Sequence, residues 1–212
     1  SEKLKRPVKW TCERSEAIQA DEHGRDVIFE AELALDVDHN FIGFRASSTN
    51  NVGAYISSMR NIQAGFGNIG GIVGGYDIPA AYVAVTGAMT NTNSTAPYRG
   101  AGRPEASYVI ERLIDEAARE IHIDPAELRR KNFIKPDQFP YAAAAGLEYD
   151  TGNYHALVDK LEDLADLSGF EARRAATKAT GKLRGIGVNT YIEACGIAPS
   201  NLVGVLGSRV GL

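Results

Sequence analysis

The sequence predicts an α+β fold, and three observations carry that prediction. An apolar run turns back on itself near residue 38, a charge-poor, glycine-rich stretch follows, and two amphipathic helical segments with entry signals come after residue 103. From Val27 the run Val-Ile-Phe-Glu-Ala-Glu-Leu-Ala-Leu alternates in its second half, and Phe41-Ile42-Gly43-Phe44-Arg45 resumes after Asp36-Val37-Asp38-His39-Asn40. That pattern predicts a β-hairpin with its turn near Asp38 to Asn40. Between 47 and 103 charges are sparse, and short apolar stretches such as Tyr82-Val83-Ala84-Val85 read as single strands. Long irregular segments inside compact domains are usually functional or disordered, and the low charge of this one argues against disorder, so it is expected to line something.

Pro104 opens a helical period in which Ala106, Val109, Ile110, Leu113, Ile114 and Ala117 share a face, with Glu111, Arg112, Asp115 and Glu116 mostly on the other. A shorter helix starts at Asp124-Pro125-Ala126-Glu127, where Asp124 can cap, Pro125 fits the first position and Glu127 can reach back. Its Arg129-Arg130-Lys131 run reads as a solvated face. A linker over 134–152 carries Pro136 and Pro140, and 153–179 is again helical with a break near Ser168-Gly169. Gly185 to Ile192 reads as a strand, and the apolar run from Val203 stops at Leu212 with no turn or cap. The expectation is a piece of a larger subunit, divided into a hairpin with Gly-rich loops (1–103), a helical segment (104–180) and the start of a further sheet segment (181–212).

Composition removes several function classes. A chain of 212 residues with 44% hydrophobic content buries a substantial core, and a net charge of -4 without a basic cluster argues against nucleic acid. Cys12 and Cys195 stand alone, which argues against a disulfide framework, a zinc site or an iron–sulfur cluster held by this chain, and fits a reducing cytoplasm. No apolar run is long enough to span a bilayer. A literal GxGxxG at Gly65-Phe66-Gly67-Asn68-Ile69-Gly70 lacks the preceding hydrophobic strand, and Asp77 follows too closely for a dinucleotide fingerprint. His23, His39, His122 and His155 lack partners at ligand or triad spacing and read as structural.

One segment is more specific. Ala96-Pro97-Tyr98-Arg99-Gly100-Ala101-Gly102-Arg103-Pro104-Glu105-Ala106 is a tight, side-chain-poor loop running into a helix N-terminus. Glycines 100 and 102 let the main chain approach a ligand closely, and the first-turn N–H groups favour an anion or oxo group. An ordinary turn entering a helix explains the same residues equally well.

Together with Asp124-Pro125-Ala126-Glu127-Leu128-Arg129-Arg130-Lys131-Asn132-Phe133, this loop resembles the large, molybdopterin-binding subunit of the xanthine oxidase, aldehyde oxidoreductase and aerobic carbon monoxide dehydrogenase family. Trp10-Thr11-Cys12-Glu13-Arg14-Ser15-Glu16, the hairpin and Arg184-Gly185-Ile186-Gly187 match in the same order. The resemblance implies that Tyr98, Arg99 and Gly100 pass beside a molybdopterin cofactor, the main chain of Arg99 meeting the metal's oxygen ligands, with no direct side-chain ligand to the metal. It places Ala101 at the substrate-pocket wall where purine-oxidising members carry an aromatic ring. Gly100 stands where carbon monoxide oxidisers carry a cysteine, which counts against carbon monoxide as substrate. Arg25 falls where purine-oxidising relatives direct an arginine at substrate; an exposed turn pairing Arg25 with an acid such as Asp26 is the preferred alternative. Glu193-Ala194-Cys195-Gly196 is a further candidate for the pocket's border.

The implied activity is oxidative hydroxylation of an aldehyde or heteroaromatic small molecule with water as oxygen source. The implied cofactor is molybdopterin with molybdenum, its cytosine dinucleotide form being one candidate, with iron–sulfur clusters and FAD on partner subunits or domains. The family's glutamate general base is not matched here, so no catalytic residue is expected in this chain, which alone should be inactive and, with unpaired strand edges, oligomeric. The rival expectation is a truncated, non-catalytic relative serving as an assembly or interaction module.

Overall fold

Asp36 makes the first turn. Its carboxylate accepts from the main-chain N–H groups of Asp38 and Asn40 at 2.9 and 2.8 Å, the local pairing that lets Asp close a reversal. In the computed structural model, which describes residues 2–57, 61 and 69–193, the arms on either side are β1 (Val27–Leu35) and β2 (Phe41–Gly53), paired antiparallel. β2 continues well past Arg45 because Ala46, Ser48 and Asn50 keep the inward period of two that Phe44 begins. A search for apolar alternation passes over that half of the strand, since its buried positions become polar. β3 (Ala81–Met89) contains the predicted Tyr82–Val85 strand and joins β2 in parallel, giving the order β1-β2-β3.

α2 (Arg103–Glu120) buries Ala106, Val109, Ile110, Ile114 and Ala118 and packs against β1. α3 (Pro125–Asn132) starts as predicted, with the Asp124 carboxylate accepting from the N–H groups of Ala126 and Glu127 at 2.8 and 3.1 Å. Glu127 turns to Arg130 at 3.6 Å. At the other end of α3, Asn132 locks helix to hairpin: its Oδ1 accepts from the Phe41 N–H at 2.7 Å, and its Nδ2 donates to the His39 carbonyl at 3.1 Å. Beside it Tyr76 stacks on Phe133, ring centroids 5.5 Å apart, with Phe41 edge-on at 5.6 Å.

Two charged residues assigned to solvent are in the core. Arg129 is 1% exposed and Glu111 4%. Arg129 Nε donates to Glu111 Oε2 at 2.8 Å, and the same guanidinium reaches Asp115 at 2.9 Å and the carbonyls of Pro125 and Glu111. Glu111 also accepts from the Tyr76 hydroxyl at 2.5 Å and from the Thr190 hydroxyl and N–H at 3.0 and 3.1 Å. Burial, and then the Glu111 charge, push the Tyr76 hydroxyl well above its usual pKa, so it stays protonated and donating. Charge pattern alone misplaces these groups because their partners lie on other elements. Arg130 is likewise a tie, bonding Asp159 and Glu162 of α4 (Tyr154–Ala165).

The linker holds a small hairpin, β4 (Tyr141–Ala142) with β5 (Glu148–Tyr149). The predicted break separates α4 from α5 (Phe170–Ala179), with a 3₁₀ turn at Leu167–Gly169. One unforeseen element appears and one expectation changes. A short exposed helix, α1 (Arg14–Ala20), precedes the hairpin; the Glu16 side chain accepts from the Glu13 N–H at 2.9 Å at its start. Gly185 to Ile192 is not a strand; Thr190 spends its N–H on the Glu111 carboxylate instead of on a sheet neighbour. The expected strand from Val203 and residues 65–68 of the GxGxxG lie outside the described residues.

Candidate functional site

The polar half of β2 faces a cavity of about 270 Å³. Its wall is made by Asn50, Asn51 and Val52 of β2, Val85 of β3, Arg25 to Val27 before and in β1, and the loop from Thr95 through Tyr98 to Ala101, Gly102 and Glu105. The glycine-rich loop and the first turn of α2 thus share one wall.

The loop's shape is set by its backbone. Gly100, Ala101 and Gly102 all have positive φ, at 91°, 30° and 96°, a sequence that only glycine adopts freely. The Ala101 N–H donates to the Tyr98 carbonyl at 2.7 Å and the Arg103 N–H to the Gly100 carbonyl at 3.0 Å. A Cβ on Gly100 would sit 2.9 Å from the Pro104 ring. The loop therefore shows main chain where a larger residue would show side chain. Among the described residues no group accepts from the Gly100 N–H.

Arg25 reaches this loop from 74 residues away, its terminal nitrogen donating to the Arg99 carbonyl. Its Nε lies 3.3 Å from Glu105 Oε1, and its guanidinium covers the Tyr98 ring at 4.9 Å from the centroid. The residue does pair with an acid, but with Glu105 on α2; its neighbour Asp26 accepts from Asn51 Nδ2 at 2.7 Å. Behind it the backbone of His23 pairs with the loop, its N–H donating to the Ser94 carbonyl and its carbonyl accepting from the Ala96 N–H at 3.0 and 2.8 Å. His23 and His155 place their rings on the main-chain carbonyls of Ile18 and Arg130 at 3.0 and 2.9 Å.

The structure brings Arg25, Tyr98 and Ala101 to the cavity and places Arg99 and Gly100 in the turn beside it. Glu193 approaches Arg103 at 3.6 Å, while Ala194 to Gly196 lie outside the described residues. Sequence reading missed Asn51 and the partners of Glu105 and Asp26. Glu105 was visible inside the loop motif, but its role depends on Arg25, which no local pattern links to it.

These residues fit a molybdopterin cofactor on two counts. The Gly100 N–H, which donates to no group among the described residues, suits an oxo or phosphate group, and buried Glu105 Oε2, which has no hydrogen-bond partner among the described residues, would take an N–H from a ligand such as a pterin. No group of three His, Cys, Asp or Glu residues among the described residues is placed to hold a metal ion.

The molybdopterin cofactor-binding domain family matches residues 1–133. The carbon monoxide dehydrogenase large chain of Hydrogenophaga pseudoflava is 38% identical over 96% of this chain and 26% of its own length. Among solved structures, carbon monoxide dehydrogenase from Oligotropha carboxidovorans superposes with a TM-score of 0.75 at 36% identity, covering 85% of this chain and 23% of that one. Quinoline 2-oxidoreductase from Pseudomonas putida 86 gives 0.76 at 31% identity, again covering 85% and 23%. The chain thus spans about a quarter of the length of the relatives it matches. With a cavity walled by the glycine loop and a family match over most of its length, the chain belongs to the molybdopterin cofactor-binding domain family.

Proposed function

We propose that this chain is the part of a molybdenum hydroxylase subunit that supplies one wall of the cofactor and substrate site. The observation that carries the reading is the run of three positive-φ residues, 100–102, which turns main chain toward a cavity shared with the first turn of α2. When bound, the molybdenum cofactor supplies two-electron redox chemistry to the substrate carbon. The chain's own residues position: Tyr98, Arg99 and Gly100 hold main chain beside the cofactor, Ala101 and Arg25 line the adjoining space, and Glu105 offers a carboxylate oxygen to a ligand N–H.

Similarity to carbon monoxide dehydrogenases does not bring their substrate with it. A cysteine at Gly100 would have to adopt φ near 91° and push its Cβ to 2.9 Å from Pro104. The small Ala101 side chain leaves room at the wall, and the substrate class we assign is an aldehyde or a heteroaromatic ring. Iron–sulfur and flavin subunits would take the electrons away, and the cytosine dinucleotide form of the pterin is the candidate to test first.

The test is molybdenum and pterin analysis of the full-length protein, with turnover measured on aldehydes, N-heterocycles and carbon monoxide. Near-stoichiometric molybdenum and oxidation of the first two classes are expected. A full-length protein without molybdenum would favour the assembly-module reading, and carbon monoxide oxidation would overturn the substrate assignment.

A further inference from the structure

The contacts of Arg25 exceed what a surface ion pair needs. One guanidinium is held on one side by the Glu105 carboxylate at 3.3 Å, lies over the Tyr98 ring, and donates to the Arg99 carbonyl. It is also held from behind. Arg25 has φ of 64°, uncommon for a residue with a side chain, and Gly24 sits so close to Tyr98 that an added Cβ would lie 2.8 Å from the tyrosine's own. The preceding residue, His23, is paired through its backbone with Ser94 and Ala96. Strained backbone that the surroundings maintain points to a role for the side chain it aims.

We propose that Arg25 is a positioning residue that fixes the orientation of the Arg99–Gly100 peptide. A trans peptide sets its C=O and N–H in opposite directions. Drawing the Arg99 carbonyl to the guanidinium therefore turns the Gly100 N–H away from Arg25 and leaves it free to donate. A planar guanidinium suits such a clamp, because it stacks on Tyr98 while one edge meets the Glu105 carboxylate and another nitrogen meets the carbonyl. Lysine has the charge without the plane or the second directed nitrogen. The Arg25–Glu105 pair also joins the segment before β1 to the first turn of α2, so the loop is clamped between two elements distant in sequence. What the N–H is presented to rests on the functional reading above; the clamp itself does not.

The experiment uses the full-length protein in wild-type form and as Arg25→Met, Arg25→Lys and Glu105→Gln. Amide hydrogen exchange is followed in the cofactor-free protein, and visible circular dichroism with kcat and KM in the loaded one. In Arg25→Met, exchange over 98–102 should quicken about tenfold or more, as expected on losing a hydrogen bond from a charged donor, with β1 and the body of α2 unchanged. Glu105→Gln should give a smaller change in the same direction, and Arg25→Lys should not restore the wild-type rate. In the loaded protein the molybdenum-region dichroism should change and kcat should fall more than KM rises. Unchanged exchange over 98–102 in Arg25→Met overturns the clamp even if molybdenum binds normally. Faster exchange with unaltered dichroism and kinetics overturns the positioning role. Failure of the functional reading shows separately, as a wild-type protein without molybdenum, and the exchange measurement still decides the clamp.

Discussion

Gly100→Val in the full-length, loaded protein is expected to lower kcat about a hundredfold or more, the scale on which a 1 Å misplacement acts, while leaving the fold in place. Two features point the same way. The backbone at Gly100 has φ of 91°, and a Cβ there would lie 2.9 Å from the Pro104 ring. A β-branched residue must therefore move the loop or distort its own backbone, at about 1–3 kcal/mol. The loop is half exposed at this point and outside the hydrophobic core, so the stability loss stays local. Gly100→Ala should give a smaller loss in the same direction. Wild-type kcat in the valine variant at full molybdenum loading would show that the loop is only a connection.

The largest stability effect is expected at Arg129. Arg129→Ala removes the cation that neutralises Glu111, which is 4% exposed and shared with Tyr76 and Thr190. Breaking a buried pair by deleting one partner costs about 3–5 kcal/mol, because a charge is left without compensation. Arg129→Met, which keeps volume but not charge, should also destabilise. Pairing either substitution with Glu111→Gln should recover part of the loss, since the orphaned charge goes too. Urea unfolding followed by far-ultraviolet circular dichroism gives the comparison, and an Arg129→Ala loss below about 1 kcal/mol, the range of surface pairs, would mean that the network is solvated in solution.

The legible parts of the fold were those whose signals are local. The turn near Asp38 to Asn40, Asp124 capping α3 and the break at Ser168-Gly169 each depend on neighbours a few residues apart. The illegible parts depend on distant partners. The second half of β2 is a strand because β1 and β3 flank it, though Ser48 and Asn50 offer no apolar pattern. Arg129 looked like a solvated helix charge until Glu111, 18 residues earlier, supplied its partner. At the site, the motif around Tyr98 to Gly102 was visible as a tight loop, and family resemblance gave it a ligand. The hold of Arg25 on the Arg99 carbonyl, with Glu105 beside it, was not visible, because the 74-residue separation of Arg25 and Arg99 leaves no trace in local spacing.

In the function proposed above, the main chain of residues 98–102 faces the molybdenum cofactor. A crystal structure of the full-length, loaded protein tests it most directly. Main-chain atoms of Arg99 or Gly100 are expected at about 3 Å from a cofactor ligand atom, within hydrogen-bonding distance, with Arg25 still on the Arg99 carbonyl. A cofactor bound elsewhere, with the cavity between β2 and the loop filled only by solvent, would contradict it.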